Sequence, residues 1–283
     1  MNRLDLPWIR DAGGDGPGVV CLHSNASTSA QWRALAERLA PTCRVLAPDL
    51  LGAGKSEAWP TDRAITLGDE VRRLAPVFEA AGEQCLVVGH SYGAAVALMA
   101  ALTWPERVAA LALYEPTLFS LLEQESPGHE AASGIRLAVA DAAEAIAAQD
   151  HAAAGERFID YWMGPGHWRR MSEGRRAAIG ASMVNVSGWA GALFGEPTPL
   201  QAFGVLDVPV LYMLGAQSPA SSRGVGRLLT RALPHVSVIE FPELGHMGPV
   251  THADLVNDAI ESFLSVVAQP VAPSPARQAR AGR

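Results

Sequence analysis

Lysine is nearly absent from this chain: of 22 basic residues only Lys55 is a lysine, and the rest are arginine. Acidic residues number 29, for a net charge of −7. No basic stripe stands out to neutralise phosphates, so nucleic acid is not an expected partner. Cysteine is scarce too. Cys21, Cys43 and Cys85 lie in or beside apolar runs, with no CxxC spacing and no ligand-histidine pattern. They read as buried reduced thiols, and no metal or cofactor is expected. Aromatics make up only 6%. No apolar run is long enough to cross a bilayer, so no membrane partner is expected. The first residues, MNRLDLPWIRDAGG, lack the apolar centre of a secretory signal, and a cytoplasmic protein is the expectation. What the chain does have is apolar residues, 49% of 283. That suffices for a large core, and the length suits an α/β sheet carrying an insertion.

Short apolar runs alternate with helical patterns. Strands are expected at Gly18–His23, Arg44–Ala47, Cys85–Gly89, Val108–Tyr114, Val208–Leu214 and Val236–Phe241, with an antiparallel edge strand at Leu6–Arg10. Helices are expected at Thr28–Ala40, where Thr28 and Gln31 have capping-box spacing, and at Thr66–Ala81, Tyr92–Thr103 and Leu255–Val267. Strands alternating with helices imply right-handed crossovers and a mostly parallel sheet. Their continuous apolar character fits burial on both faces. Between about Thr117 and Gly204 the alternation stops. This stretch concentrates Phe158, Trp162, Trp168, Trp189 and Phe194 and reads as a helical cap over one end of the sheet. The expected division is therefore a core of residues 1–116 and 205–268, a cap of 117–204, and a disordered tail of 269–283 that has little to bury.

The strongest local signal is Gly89-His90-Ser91-Tyr92-Gly93, after an apolar strand and before a helix. A sharp strand-to-helix turn presents a nucleophile in a strained conformation, and the two glycines make room where the chain passes close to itself. Ser91 is thus the expected nucleophile. The N–H of Tyr92, at the helix N-terminus, faces developing negative charge.

With this elbow the chain resembles the α/β-hydrolase family, serine-nucleophile branch, from about Gly18 to Ala268. His23-Ser24-Asn25-Ala26 is similar to the family's His-Gly-x segment, with Ser24 where glycine is usual. The resemblance implies Asn25 as the second oxyanion-hole donor and His23 as a loop-stabilising histidine. Asp49-Leu50-Leu51-Gly52-Ala53-Gly54-Lys55-Ser56 resembles the family's D-x-x-G-x-G-x-S loop. Its GAGKS looks like a phosphate-binding loop, but Asp49 stands where that motif needs its first glycine. Asp49 and Ser56 instead tie the loop together. Leu244-Gly245-His246-Met247-Gly248-Pro249 sits where the family keeps its histidine, which makes His246 the implied general base. Among the other histidines, His90 is inside the elbow and points away from Ser91, and His129, His151 and His167 belong in or near the cap. The family's usual acid position is Ser218, which cannot support an imidazolium. Some members place the acid one strand nearer the nucleophile, which here is Glu115. Glu115 as the residue that orients His246 stands beside a second possibility, in which it lines the pocket or is exposed and the enzyme works as a dyad. Asp254 and Glu243 are expected to point elsewhere.

A serine nucleophile excludes the carboxylate-nucleophile dehalogenases and epoxide hydrolases of this fold. The resemblance implies hydrolysis of a small-to-medium apolar ester, a small-molecule substrate, through a Ser91 acyl-enzyme. Two alternatives stay open: a carbon–carbon bond hydrolase with the same machinery, and a non-catalytic ligand-binding protein of this fold.

Overall fold

The protein is described from a computed structural model covering residues 6–60, 62–125 and 130–267. The tail from Gln269 and His129 lie outside the described residues. Seven strands form one sheet: β1 (Ile9–Asp11), β2 (Gly18–Leu22), β3 (Arg44–Pro48), β4 (Cys85–His90), β5 (Val108–Tyr114), β6 (Val210–Gly215) and β7 (Val236–Phe241). Their order is β1-β3-β2-β4-β5-β6-β7. Every pairing is parallel except β1 on β3, where Ile9 faces Pro48 and Asp11 faces Leu46. The expected edge strand exists, but it begins at Ile9 rather than Leu6.

Central strands β2 and β4 are buried along their whole length, as continuous apolar runs require. The edge strand β7 differs: Ser237 through Glu240 are exposed, because among the described residues no further strand pairs with it. Cys21, Cys43 and Cys85 are buried and unpaired. Burial raises the Cys85 thiol to about 12.

The helices in chain order are α1 (Arg33–Leu39), α2 (Leu67–Arg73), α3 (Ala75–Ala81), α4 (Tyr92–Thr103), α5 (Ser120–Glu125), α6 (Glu130–Ala147), α7 (His151–Met163), α8 (His167–Arg170), α9 (Glu173–Ser182), α10 (Val186–Phe194), α11 (Ala220–Ala232), α12 (Gly248–Thr251) and α13 (Ala253–Val267). The single helix expected over Thr66–Ala81 is broken at Leu74. Pro76, in the first turn of α3, has no N–H to continue the ladder. The capping box lies at this helix, where Thr66 and Asp69 bond reciprocally. The one expected at Thr28 and Gln31 does not form. Thr28 caps a 3-10 turn at Ser29–Trp32, and the Gln31 side chain is engaged elsewhere.

Helices α5 to α10 form the insertion between β5 and β6, beyond the C-terminal ends of the parallel strands. One continuous core joins α4 and a face of the sheet to Phe158, Trp162 and Trp189 of the insertion. Among the described residues the run Glu173–Phe194 has the length and composition to cross a membrane, contrary to the expectation that no such run exists. It is interrupted by a 3-10 turn at Met183–Asn185, and its apolar residues Val186, Trp189 and Leu193 line a pocket.

Candidate active site

Ser91 ends the turn between β4 and α4 with φ 56° and ψ −117°. Its N–H donates to the Tyr114 carbonyl at 2.9 Å, which pins the turn to β5. The flanking glycines are needed for space. A Cβ on Gly93 would lie 2.4 Å from the Leu22 carbonyl oxygen, and one on Gly89 would lie 2.6 Å from Ala94 Cα. Only four described non-glycine residues have positive φ: Ala26, Ser91, Glu115 and Gln149. The first three surround this site. A left-handed backbone costs about 1–3 kcal/mol for such residues and persists only where its surroundings enforce it.

Three side chains meet here. Ser91 Oγ–H donates to His246 Nε2 at 2.9 Å, and His246 Nδ1–H donates to Glu115 Oε2 at 2.6 Å. All three are buried, Glu115 completely. The second Glu115 oxygen, Oε1, accepts from the Gly215 N–H at 2.7 Å and from Ser218 Oγ–H at 2.6 Å. Glu115 therefore takes three donors, which compensates the burial of a carboxylate. Ser218, at the family's usual acid position, acts here as a donor to the relocated carboxylate. Ser222 Oγ also lies 3.3 Å from His246 Nδ1. Asp254 and Glu243 are exposed and make no contact with this group.

Behind the elbow a second set of bonds locks the loops. His90 faces away from Ser91. Its Nε2–H donates to the His246 carbonyl at 2.8 Å, and its Nδ1 accepts from Gln31 Nε2 at 3.1 Å. Burial and the neighbouring His246 hold the His90 imidazole well below its ordinary pKa, consistent with this neutral tautomer. Gln31 Oε1 accepts from both the N–H and the hydroxyl of Ser24, so one side chain links the elbow to the Asn25 loop. His23 Nε2 accepts from the Leu50 N–H, and its Nδ1–H donates to the Ser24 carbonyl. Asp49 accepts from the N–H groups of Ser29 and Lys55, and Ser56 donates to the Asp49 carbonyl. Tyr92, first residue of α4, has an N–H with no carbonyl to reach within its own helix. Its hydroxyl donates to buried Glu70, whose carboxyl burial raises to about 7.

Ser91, His246 and Asn25 open on an inner recess of about 30 Å³. Its walls are apolar, from Ile135, Val139, Phe158, Val186 and Leu193 among others, with Thr117 and Ser24 as the remaining polar residues. Among the described residues no lysine, arginine, aspartate or glutamate lines it. A wider outer cleft of about 640 Å³ adjoins it, lined by Leu50, Leu51, Met163, Met171 and Arg175. Phe158, Trp162 and Trp189, expected cap aromatics, line both spaces. Trp168 does not; it packs on Gly155 as core. Trp162 also stacks on the His246 ring, with centroids 4.0 Å apart and planes at 26°. Among the described residues no group of three or more His, Cys, Asp or Glu is arranged to hold a metal ion.

Reading the residues in order found neither the roles of Gln31, Ser218 and Ser222 nor the stacked Trp162. The available signal was compositional: three serines follow β6 where the family's acid is usual, and a tryptophan cluster sits in the insertion.

The chain is also similar to known proteins. Over 258 residues, 89% of this chain and 93% of the relative, it is 26% identical to a pimeloyl-[acyl-carrier protein] methyl ester esterase of Aliivibrio salmonicida. A segment of 117 residues, 41% of this chain and 43% of the other, is 38% identical to lipase LipV of Mycobacterium tuberculosis. The crystal structure of a hydrolase from Pseudomonas aeruginosa PA01 superposes with a TM-score of 0.73 at 23% identity, covering 90% of this chain and 93% of that one. The model of the alpha/beta hydrolase fold matches residues 17–253, most of the chain, and this protein belongs to that family.

Proposed function

We propose that this protein is a serine hydrolase that cleaves a small-to-medium, uncharged apolar ester through a Ser91 acyl-enzyme. The observation that carries the reading is the hydrogen-bonded line from Ser91 through His246 to Glu115, opening on a recess that, among the described residues, no lysine, arginine, aspartate or glutamate lines. Ser91 Oγ attacks the ester carbonyl carbon while His246 Nε2 takes its proton. The Glu115 carboxylate, already bonded to Nδ1–H, stabilises the imidazolium that forms. The carbonyl oxygen, now negative, is held by the N–H groups of Tyr92 and Asn25. The intermediate collapses, the C–O bond breaks, and the alkoxide leaves with the Nε2 proton as an alcohol. Water then gives a proton to Nε2 and attacks the acyl carbon. The acid departs and Ser91 recovers its proton.

Residues 117–204 act as a cap in this reading. Their apolar faces exclude water from the recess, which strengthens every charge interaction inside it. The test is hydrolysis of p-nitrophenyl esters by wild type and Ser91→Ala, together with labelling by a fluorophosphonate probe. Turnover and labelling that Ser91→Ala abolishes support the proposal. A protein of this fold that only binds a ligand gives neither.

A further inference from the structure

We propose that Trp162 makes the insertion part of the catalytic centre, both as a positioning residue for the His246 imidazole and as the partition that restricts the acyl half of the ester to a short, uncharged chain. The inference rests on the hydrolase reading above.

Trp162 is 7% exposed and stands between the two cavities, lining both. Only the inner one contains Ser91 and His246. In the two-step reaction the alcohol leaves first while the acyl group stays on Ser91. The small recess beside Ser91 therefore suits the acyl chain, and the larger cleft suits the departing alcohol. At about 30 Å³ the recess has room for about two waters, or an acyl chain of two or three carbons. The cleft is some twentyfold larger, about 640 Å³, and with Leu50, Leu51 and Met171 on its walls takes a bulkier apolar alcohol.

Trp162 is held from several sides. Tyr161 meets it edge-on, with centroids 4.8 Å apart, and bonds Ser221 Oγ of α11 through its hydroxyl at 2.7 Å. Phe119 stacks on it at 6.3 Å, and Phe158 meets it at 6.1 Å. The indole face is thus fixed over His246. An aromatic face attracts a cation, so this stack favours the imidazolium over the neutral ring. The other groups facing the imidazole are the Glu115 carboxylate and Ser222 on its Nδ1 side, Ser91 on its Nε2 side, and His90, whose ring lies 5.2 Å away. Burial keeps His90 uncharged. Glu115 also favours the imidazolium, so the effect of Trp162 must be read as a difference between variants in which Glu115 is intact.

The experiment measures kcat/KM against pH, and across p-nitrophenyl acetate, butyrate and octanoate, for wild type and three variants. Trp162→Leu keeps the site dry but loses the π face. Its acidic limb is expected to move down by about half to one pH unit, whatever the change in the octanoate-to-acetate ratio as the side chain shrinks. Trp162→Phe restores the limb. Trp162→Ala joins the two cavities, and the octanoate-to-acetate ratio rises at least about tenfold. Trp162→Val serves the same purpose should the alanine variant fail to fold. Limbs that coincide in wild type and Trp162→Leu overturn the positioning role, and an unchanged ratio in Trp162→Ala or Trp162→Val overturns the partition. In both cases the hydrolase reading survives, because wild type still turns over. A wild type inert to every ester and to the phosphonate probe overturns that reading and this inference with it.

Discussion

Replacing Glu115 by glutamine removes one negative charge and almost no volume, so its effect can be worked from the hydrogen bonds. The native carboxylate accepts three bonds: two at Oε1, from Gly215 N–H and Ser218 Oγ–H, and one at Oε2, from His246 Nδ1–H. Glutamine offers a single acceptor oxygen. Turned toward Gly215 and Ser218, that oxygen keeps two bonds and leaves its NH2 facing Nδ1. Turned toward His246, it keeps one and sets its NH2 against the Gly215 N–H, leaving a buried donor unsatisfied at about 1–3 kcal/mol. The first orientation wins. It forces the imidazole into the tautomer with the proton on Nε2, which can no longer accept the Ser91 proton. Reversal of the tautomer by an Asp-to-Asn change in a serine-protease triad costs about 10⁴ in kcat, or about 5 kcal/mol. The same loss is expected here, with KM for p-nitrophenyl acetate nearly unchanged and phosphonate labelling slowed in proportion. A Glu115→Gln variant within tenfold of wild type in kcat would refute the reasoning and leave Ser91 and His246 as a dyad.

Ser218→Ala removes one of the three donors to Glu115. About a tenfold fall in kcat/KM is expected, with Ser218→Thr near wild type, and a silent alanine variant counts against the donor role. The Glu70 carboxyl titrates near 4.5 when the chain is unfolded and, through burial, near about 7 when it is folded. Its raised value favours the protonated form of the fold, so its contribution to stability is complete below pH 4.5 and fades as pH rises to about 7. Urea melts should therefore show the Glu70→Gln variant gaining about 3 kcal/mol on wild type between pH 4.5 and 7, and a pH-independent difference would contradict this. Gly93→Ala drives a Cβ against the carbonyls of Leu22 and His23, and a loss of about 3 kcal/mol or more in stability should appear as a lower Tm. The Trp162 variants described above complete the set.

How legible this protein is from its sequence depends on the range of each interaction. The elbow is contiguous: strand, Gly89 to Gly93 and helix are neighbours in the chain, and the steric reason for both glycines is local. The parallel sheet is legible for the same reason, since each apolar run marks its own strand. His246 and Glu115 lie 155 and 24 positions from Ser91, and only likeness to a family joined them to it. Gln31 was misread because its spacing from Thr28 suits a local cap. Its amide is instead taken by Ser24 and by His90, which is 59 residues away. Ser218 looked like a gap in a triad because nothing near it shows that a carboxylate arrives from β5. Glu70 sits on an amphipathic helix where a charge suggests solvent, yet Tyr92 and Leu51 enclose it. In each case a strong local pattern was present and a tertiary contact outweighed it.

The donor at position 218 also constrains how such a site can change over time. Ser218 Oγ and Glu115 Oε1 are in hydrogen-bond contact at 2.6 Å. An aspartate gained at 218 while Glu115 remains sets two carboxylates against each other, and one must take up a proton. Loss of Glu115 before an aspartate appears leaves the histidine without an anion. Each single substitution disturbs the charge on the histidine's partner, so the two positions are expected to covary among relatives. The serine marks which strand supplies the anion, and scanning hydrolase sequences for a hydroxyl at one position and a carboxylate at the other should sort lineages that residue-by-residue comparison merges.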